Sequence, residues 1–238
     1  MNKLSDIDIK TLKEHNVSIT KDLIDKINAG YPLQYIVGDV NFYGYPFKVS
    51  EDVLIPRFET EQLIEQVLKK RINFNNVIDL CSGSGVIGIT IALETNAKVD
   101  MVELSNDAIE IAKDNVKIHK IEDKINIINA DIFNYEIEDK YDLIISNPPY
   151  LTHQDDISPN TRFEPEMALY SDVDPIRFYK RIIDQVANLK KWQLVAFEIG
   201  EEESQDIIHY ANHKGLHNIY CIKDYNERDR FVFIEKNE

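Results

Sequence analysis

The sequence is poor in cysteine and lacks long apolar runs, and these absences exclude several classes of protein. Its two cysteines, Cys81 and Cys221, are too few for a disulfide framework, which suits a reducing cytosol. The first residues contain no apolar segment of a secretory signal. No apolar run approaches the roughly 20 residues of a transmembrane helix. We therefore expect a cytoplasmic protein without membrane association.

Metal-binding patterns and positive charge are also scarce. The six histidines are scattered, and no cysteine–histidine cluster has the spacing of a metal site, so we expect no metal. Acidic residues number 42 against 27 basic residues, which gives a formal net charge of −15. Binding to a nucleic-acid backbone depends on lysine and arginine, so we expect no direct nucleic-acid binding.

The remaining composition is typical of one large domain with a small appendage. A hydrophobic content of 43% is enough for a sizeable core. We divide the chain into a short helical N-terminal segment at 1–30, a β-hairpin and linker at 31–58, and a main domain at 59–238. Helical spacing of apolar residues predicts two short helices in the first segment, at 3–14 and 20–29. The aromatic second segment, interrupted by glycine and proline, predicts the hairpin.

The main domain alternates between strand-like and helix-like segments. Thr60 is expected to cap its first helix, at about 61–70. The alternation predicts an α/β, Rossmann-like fold with a mostly parallel seven-stranded sheet, helices on both faces and a C-terminal antiparallel hairpin. The predicted strands are 77–80, 98–103, 125–129, 141–146, 193–199, 219–223 and 230–235, and the further predicted helices are 85–95, 106–118, 175–189 and 203–211.

Residues 144–150 form the main catalytic candidate. A strand-like apolar run ends there at two consecutive prolines, which neither a helix nor a central strand continues through. Asn147 precedes a proline and is therefore held extended, with a carboxamide that offers both an acceptor and donors. The Pro148 carbonyl is a second acceptor, Pro149 stiffens the turn, and Tyr150 adds an aromatic face. Together these groups suit a planar –NH2 group at the carboxyl end of a strand, where open α/β sheets bind ligands.

A glycine-containing loop follows the first predicted strand of the main domain. Gly83 and Gly85 allow a tight turn and close approach of a ligand. Glu103 ends the next strand, where a carboxylate accepts hydrogen bonds from both ribose hydroxyls of a nucleotide-like ligand. Dinucleotides and S-adenosylmethionine both use this layout. Cys81 replaces the first glycine of a pyrophosphate-binding motif, and Asp79 would repel a diphosphate but attract an ammonium group, which favours S-adenosylmethionine.

A third strand end completes the expected cofactor site. Asp131 follows that strand and can accept a hydrogen bond from an adenine amino group, while the neighbouring apolar side chains can cover the ring. The residues expected to bind the cofactor are Asp79, Cys81, Ser82, Gly83, Ser84, Gly85, Glu103, Leu104, Asp131, Ile132, Phe133 and Asn147.

Several segments from residue 31 onward resemble one enzyme family. They are Pro-Leu-Gln-Tyr-Ile-x-Gly at 32–38, Phe-Tyr-Gly at 42–44, Val-Leu-Ile-Pro-Arg-x-Glu-Thr-Glu at 53–61, the strand and Asn-Pro-Pro-Tyr at 142–150, Glu-Pro-x-x-Ala-Leu at 164–169, Phe-Glu-Ile-Gly at 197–200, Lys-Asp-Tyr at 223–225 and Asp-Arg at 229–230. With these segments the chain resembles the release factor glutamine N5-methyltransferases, which are class I S-adenosylmethionine-dependent methyltransferases. Asn-Pro-Pro-Tyr alone is shared with DNA N6-adenine methyltransferases, whereas the segments at 32–38 and 53–57 are far more specific.

The chain also departs from that family's pattern. Cys81 stands where glycine is usual, Phe58 where proline is common, and residues 171–175 replace a Gly-x-Asp-Gly-Leu stretch. The helical N-terminal segment is shorter than the family's usual N-terminal domain, which helps to engage the release factor.

The resemblance implies methyl transfer from S-adenosylmethionine to the side-chain amide nitrogen (N5) of the glutamine in the Gly-Gly-Gln motif of class I peptide chain release factors. S-adenosylhomocysteine is the implied second product, and we expect a monomer. Asn147 Oδ1 and the Pro148 carbonyl would accept the two amide hydrogens, Pro149 would hold the turn, and Tyr150 would pack on the amide plane. Arg57, Glu59 and Glu198 receive no catalytic assignment.

Two other functions are compatible with parts of the pattern. A nucleic-acid N6-adenine methyltransferase would use the same four catalytic residues on an adenine amino group, but it needs a basic groove and a base-flipping pocket. A non-catalytic scaffold that binds S-adenosylmethionine or its product would have no need of Asn147 to Tyr150.

Overall fold

The computed structural model describes residues 4–236 of the chain. The first residue of the helix predicted at 3–14 and the last two residues of the predicted main domain lie outside that range. Within it, no helix is long and apolar enough to cross a membrane. The division of the chain into three parts at residues 30 and 58 stays a prediction.

Both predicted N-terminal helices are present, α1 (Asp6–Glu14) and α2 (Lys21–Asn28). Helix α1 begins later than predicted because Ser5 forms a capping box: its hydroxyl accepts from the Asp8 N–H, and the Asp8 carboxylate accepts from the Ser5 N–H. Thr20 caps α2 by accepting from Leu23 N–H at 3.2 Å.

The linker contains the predicted hairpin and one helix that was not predicted, α3 (Leu33–Val37). This helix lies between Pro32 and Gly38, whose φ of +84° allows the left-handed conformation that ends a helix. The antiparallel strands β1 (Asp39–Phe42) and β2 (Tyr45–Lys48) follow.

The first long helix is α4 (Phe58–Lys69). The prediction that Thr60 caps it is wrong, since Arg57 is the residue with extended backbone angles before the helix. Thr60 instead lies in the first turn, is buried, and donates its hydroxyl hydrogen to Glu198.

The predicted seven-stranded sheet is confirmed. Its strand order is β5-β4-β3-β6-β7-β9-β8, with β9 antiparallel to both of its neighbours and the other pairs parallel. The strands are β3 (Asn76–Leu80), β4 (Lys98–Glu103), β5 (Ile125–Asn129), β6 (Leu143–Ser146), β7 (Leu194–Glu198), β8 (Ile219–Lys223) and β9 (Asp229–Glu235).

Helices cover both faces of this sheet, as predicted. One face packs against α4, α5 (Val86–Glu94) and α6 (Asn106–His119), and the other against α8 (Arg177–Val186) and α9 (Ser204–His213). Neighbouring strand residues alternate between the two cores: Val77 and Ile145 belong to the first, Ile78 and Ile144 to the second. Helix α8 begins two residues after the predicted Pro175.

The chain moves outward in opposite directions from the two central strands, β3 and β6. The carboxyl end between them is therefore the topological switch point where open α/β sheets bind ligands. The sequence predicts no helix or strand in the segment between β6 and residue 175. This segment contains a 3₁₀ turn at Thr161–Phe163 and the short helix α7 (Glu166–Leu169), and Leu151 pairs with Tyr170.

Candidate active site

The register of the sheet brings the predicted site residues together. Leu80, at the end of β3, pairs with Ser146, at the end of β6, so the glycine-containing loop and Asn147 leave adjacent strand ends. Glu103 ends β4 in register with Asn129 on β5, which places Asp131 nearby. Residues distant in the sequence thus converge on one edge of the sheet.

The loop after β3 depends on three residues with left-handed backbone angles. Cys81, Gly83 and Gly85 have φ values of +60°, +53° and +83°. A Cβ atom at Gly85 would also lie 3.0 Å from Ile89 Cδ1, so any larger residue there would push against the Ile89 side chain in addition to straining the backbone. Cys81 adopts the conformation that a glycine would adopt more easily, which explains why glycine is usual at this position.

The Glu103 carboxylate is held against this loop by backbone donors. The N–H groups of Gly83 and Leu104 both donate to it at 2.8 Å, and that of Ser105 donates at 2.9 Å. An acceptor-only group is therefore fixed in place at the end of β4.

Asp131 begins an apolar wall. Its carboxylate accepts from the Phe133 N–H at 2.9 Å, which orders the turn that carries Ile132 and Phe133. The Phe133 ring lies 5.0 Å from that of Phe178, centroid to centroid, and the Arg177 guanidinium lies 4.3 Å above Phe133.

These elements enclose a cavity of about 520 Å³. Its lining includes every residue predicted to bind the cofactor except Asp79 and Gly85, and it includes Pro149 and Thr60 as well. The Ser82 hydroxyl on its wall is buried and has no hydrogen-bond partner among residues 4–236. Carboxylates, an unpaired hydroxyl and an apolar wall match the ribose, the polar amino-acid end and the adenine of S-adenosylmethionine.

Asp79 does not line this cavity. Its side chain is fully buried, and Oδ2 accepts from the Gly88 N–H at 2.9 Å, which ties β3 to the first turn of α5. Burial, together with the nearby negative charge of Glu103, raises the pKa of Asp79 to about 8. The structure thus places this carboxyl beneath the loop, and its Oδ1 has no hydrogen-bond partner among residues 4–236. The pairing of Asp79 with an ammonium group stays a prediction.

A second cavity, of about 260 Å³, lies beside the first. Asn147 contributes to the walls of both, as do Leu54 and Ala168, whereas Tyr150 lines the smaller cavity and Pro149 the larger. Pro148 is buried and lines neither. Desolvation, with a contribution from Glu198, raises the pKa of the Tyr150 hydroxyl, so Tyr150 is neutral at pH 7.

Arg57 stabilises the wall of the smaller cavity through Glu164. Arg57 Nη2 and the Ile55 N–H each donate to the Glu164 carboxylate, whose side chain is 1% exposed. This ion pair connects the segment before α4 to the segment after β6. It gives Arg57 a structural partner that the sequence did not identify.

A hydrogen-bond chain holds the Asn147 side chain from behind. Asn147 Nδ2 lies 3.3 Å from Thr60 Oγ1, and Thr60 Oγ1 donates to Glu198 Oε2 at 2.7 Å. Glu198 is 1% exposed, and burial raises its pKa to about 7. Sequence analysis missed the contribution of Thr60 and Glu198 because 138 positions separate them.

Comparison with known proteins finds several relatives with the same name. The methyltransferase small domain family matches residues 58–162. The release factor glutamine methyltransferase of Clostridium botulinum is 34% identical over 237 residues, covering 94% of this chain and 83% of the relative. That of Bacillus anthracis is 38% identical over 235 residues, covering 93% and 82%. That of Fusobacterium nucleatum is 36% identical over 232 residues, and this chain spans 65% of its length.

Solved structures share the fold at much lower identity. The catalytic domain of hMettl16 in complex with a MAT2A 3′UTR hairpin aligns with a TM-score of 0.67 at 14% identity, covering 81% of this chain and 76% of that one. A chain of the E. cuniculi Mtq2–Trm112 complex aligns with a TM-score of 0.58 at 18% identity, covering 78% and 99%. These structures support the class I methyltransferase architecture.

Proposed function

Because this chain belongs to the release factor glutamine methyltransferase family, we propose that it methylates N5 of the glutamine in the Gly-Gly-Gln motif of class I peptide chain release factors. The observation that carries the proposal is the position of Asn147 on the wall shared by two cavities. The larger cavity would hold S-adenosylmethionine, and the smaller would admit the glutamine side chain. We place this reaction in the cytoplasm and infer that the enzyme acts as a monomer.

The residues of the larger cavity supply the cofactor-binding groups. Glu103 would accept hydrogen bonds from the ribose hydroxyls, Asp131 would accept from the adenine amino group, and Ile132 and Phe133 would cover the ring. Ser82 would pair with the amino-acid end. When bound, S-adenosylmethionine supplies a methyl group on a positively charged sulfur and leaves as S-adenosylhomocysteine.

An amide nitrogen is a weak nucleophile, since its lone pair is delocalised into the carbonyl. Asn147 Oδ1 would accept one amide hydrogen of the substrate, which aims the nitrogen at the larger cavity. The Pro148 carbonyl, the second acceptor predicted from the sequence, belongs to a buried residue outside both cavity walls. Correct placement of reacting groups lowers a barrier by up to roughly 7–11 kcal/mol in favourable cases. As the nitrogen gains the methyl group it becomes cationic and releases one proton to water, so no histidine or carboxylate base is assigned to the reaction.

Tyr150 and the segment after β6 complete the smaller cavity. Tyr150 and Leu169 line it, and Leu151 is fixed by its pairing with Tyr170. Tyr150 would pack against the plane of the glutamine amide and exclude water from it. Adenine in nucleic acid is the less favoured substrate, because the net charge of −15 opposes binding to phosphates.

The proposal is tested by transfer of a radiolabelled methyl group to a purified class I release factor. A factor with Gly-Gly-Ala in place of Gly-Gly-Gln serves as the matched control. We expect label in the first factor and none in the second. Label in neither, with S-adenosylmethionine still bound, would contradict the proposal, as would equal label in both.

A further inference from the structure

Thr60 and Glu198 lie behind the side chain that the proposed reaction depends on. We propose that this pair fixes the orientation of the Asn147 carboxamide, so that Oδ1 and not Nδ2 faces the substrate amide. The inference rests on the proposed function. It assigns Thr60 and Glu198 as positioning residues, which act through Asn147.

The orientation of this carboxamide decides whether it can bind the substrate. Its oxygen and nitrogen ends have nearly the same shape, so packing alone does not distinguish them. Oδ1 accepts a hydrogen from the substrate –NH2 group. Nδ2 carries hydrogens of its own, so in the other orientation two donor groups would face and repel each other. Only one of the two orientations is therefore productive.

The Thr60 hydroxyl can select that orientation because it has a single hydrogen. Above its pKa of about 7, Glu198 is mainly ionised and only accepts hydrogen bonds, so the 2.7 Å contact with Oε2 then takes up the Thr60 hydrogen. The Thr60 oxygen then presents only lone pairs to Asn147. It can accept from Nδ2, 3.3 Å away, but it cannot donate to Oδ1.

The fold holds the three groups in this order. Ser146 pairs with Phe197, which places Asn147 and Glu198 side by side as they leave β6 and β7. Thr60 reaches both from the first turn of α4 and is 3% exposed. The partners of the Thr60 hydroxyl are thus both protein groups, Glu198 and Asn147, and they set the direction of the hydrogen bonds.

Thr60 is the hydrogen-bond partner of the Glu198 carboxyl group, and the other charged or titratable groups around it act at longer range. Arg230 on β9, Arg57 and Glu59 near the start of α4, and the hydroxyls of Tyr150 and Tyr179 exert electrostatic effects on it or are affected by it. A buried carboxylate is unfavourable unless it is paired. Glu198 accepts the hydrogen of Thr60 at 2.7 Å, which gives this buried carboxyl group a hydrogen-bond partner and a role in orienting Thr60.

The test compares Thr60→Val, Thr60→Ser and Glu198→Gln in the 238-residue chain, with a release factor as substrate. Valine keeps the shape of threonine but removes the hydroxyl, and serine keeps the hydroxyl. Thr90→Val is the matched control, since Thr90 is fully buried on α5 and its hydroxyl has no partner among residues 4–236. Steady-state kcat and KM, the affinity for S-adenosylmethionine and the melting temperature are measured for each.

We expect Thr60→Val to lower kcat by about 10- to 100-fold while the affinity for S-adenosylmethionine changes less than about threefold. Thr60→Ser should restore kcat to within about threefold of the wild-type value. The kcat of Glu198→Gln should lie between those of Thr60→Val and Thr60→Ser, because the glutamine amide can either accept from Thr60 or donate to it.

Wild-type kcat in both Thr60→Val and Glu198→Gln would overturn the inference. Equal losses of kcat in Thr60→Val and Thr60→Ser would also overturn it, since serine retains the hydroxyl. If Thr60→Val does not fold, the kcat of Glu198→Gln is compared with that of the wild type, and an unchanged kcat overturns the inference. Absence of transfer by the wild-type enzyme would instead show that the proposed function, on which the inference rests, has failed.

Discussion

At the scale of single residues, the candidate site presents hydrogen-bond acceptors that are held rigidly in place. Glu103 is fixed by three backbone N–H groups, and Asn147 is fixed through Thr60. Such preorganised groups need no rearrangement when a ligand arrives, which is how positioning contributes to rate. In the proposed function Asn147 binds the substrate amide and Glu103 binds the cofactor ribose, so substitutions should separate catalysis from cofactor binding.

Replacing Asn147 by alanine should abolish methyl transfer and leave cofactor binding nearly unchanged. The variant loses the acceptor Oδ1, while the carboxylates and apolar wall of the larger cavity remain. We expect kcat to fall by at least about 100-fold and the Kd for S-adenosylmethionine to change less than about threefold. Single-turnover transfer and calorimetric titration measure the two quantities. Asn188→Ala, at an exposed position after α8, is the control, and activity retained by Asn147→Ala would refute the assignment.

Replacing Glu103 by alanine should give the opposite pattern. The ribose hydroxyls would lose their acceptor, and the N–H groups of Gly83, Leu104 and Ser105 would lose theirs. We expect the Kd for S-adenosylmethionine to rise by at least about 10-fold, since a hydrogen bond to a charged group contributes about 1.5–3 kcal/mol. Calorimetric titration against Glu110→Ala, an exposed substitution on α6, measures this effect. An unchanged Kd would show that Glu103 does not bind the cofactor.

At the scale of elements, the strands and long helices follow from the sequence, but the short elements do not. The period of apolar residues identifies α6, which buries one face. Helix α5 and the central strands β6 and β7 are buried on all sides and are identified instead as apolar runs that alternate along the chain. Helix α3 and the turns at 161–169 contain too few residues to show a period. The Thr60–Glu198 pair has no local signal at all, since only the register of β6 with β7 brings it to Asn147.

One helix end shows strain that a substitution should relieve. Lys120 ends α6 in the left-handed conformation, with φ of +55°, and its side chain is exposed. Lys120→Gly should stabilise the protein by about 0.5–1 kcal/mol, because glycine adopts this conformation without a steric penalty. Urea unfolding measures the change. Ala187→Gly is the matched control at the end of α8, where φ is −58° and glycine should destabilise instead. A change in the free energy of unfolding with the same sign in both variants would contradict this explanation.

At the scale of the whole molecule, the N-terminal segment is connected to the rim of the smaller cavity. Tyr31 packs edge-on against Phe163 with centroids 5.3 Å apart, and a Cβ atom on Gly30 would lie 3.2 Å from Pro159 Cβ. Ser158 and Thr161, in the same stretch, line the cavity. The residues directly after α2 thus pack against the rim of the smaller cavity, although the two segments are far apart in the chain.

The whole molecule also combines two buried carboxyl groups beneath one site, and their burial should make stability depend on pH. Burial raises the pKa of Asp79 from 3.8 to about 8 and that of Glu198 from 4.5 to about 7. At a pH between the unfolded-state pKa and the folded-state pKa of each group, the folded state binds more protons than the unfolded state. The free energy of unfolding of the cofactor-free protein should therefore fall as the pH rises from 5 to 8.

Asp79→Asn and Glu198→Gln should each reduce that fall, because the new side chains do not ionise. A shift of one pKa unit corresponds to about 1.4 kcal/mol, so we expect the difference between pH 5 and pH 8 to shrink by at least about 1 kcal/mol in each variant. Asp114→Asn is the control: the ion pair with Lys48 lowers the pKa of Asp114, which is therefore ionised throughout this range. Urea unfolding at both pH values measures the difference. A fall as steep as that of the wild type in both variants would mean that these two carboxyl groups are ionised in the folded protein at pH 5.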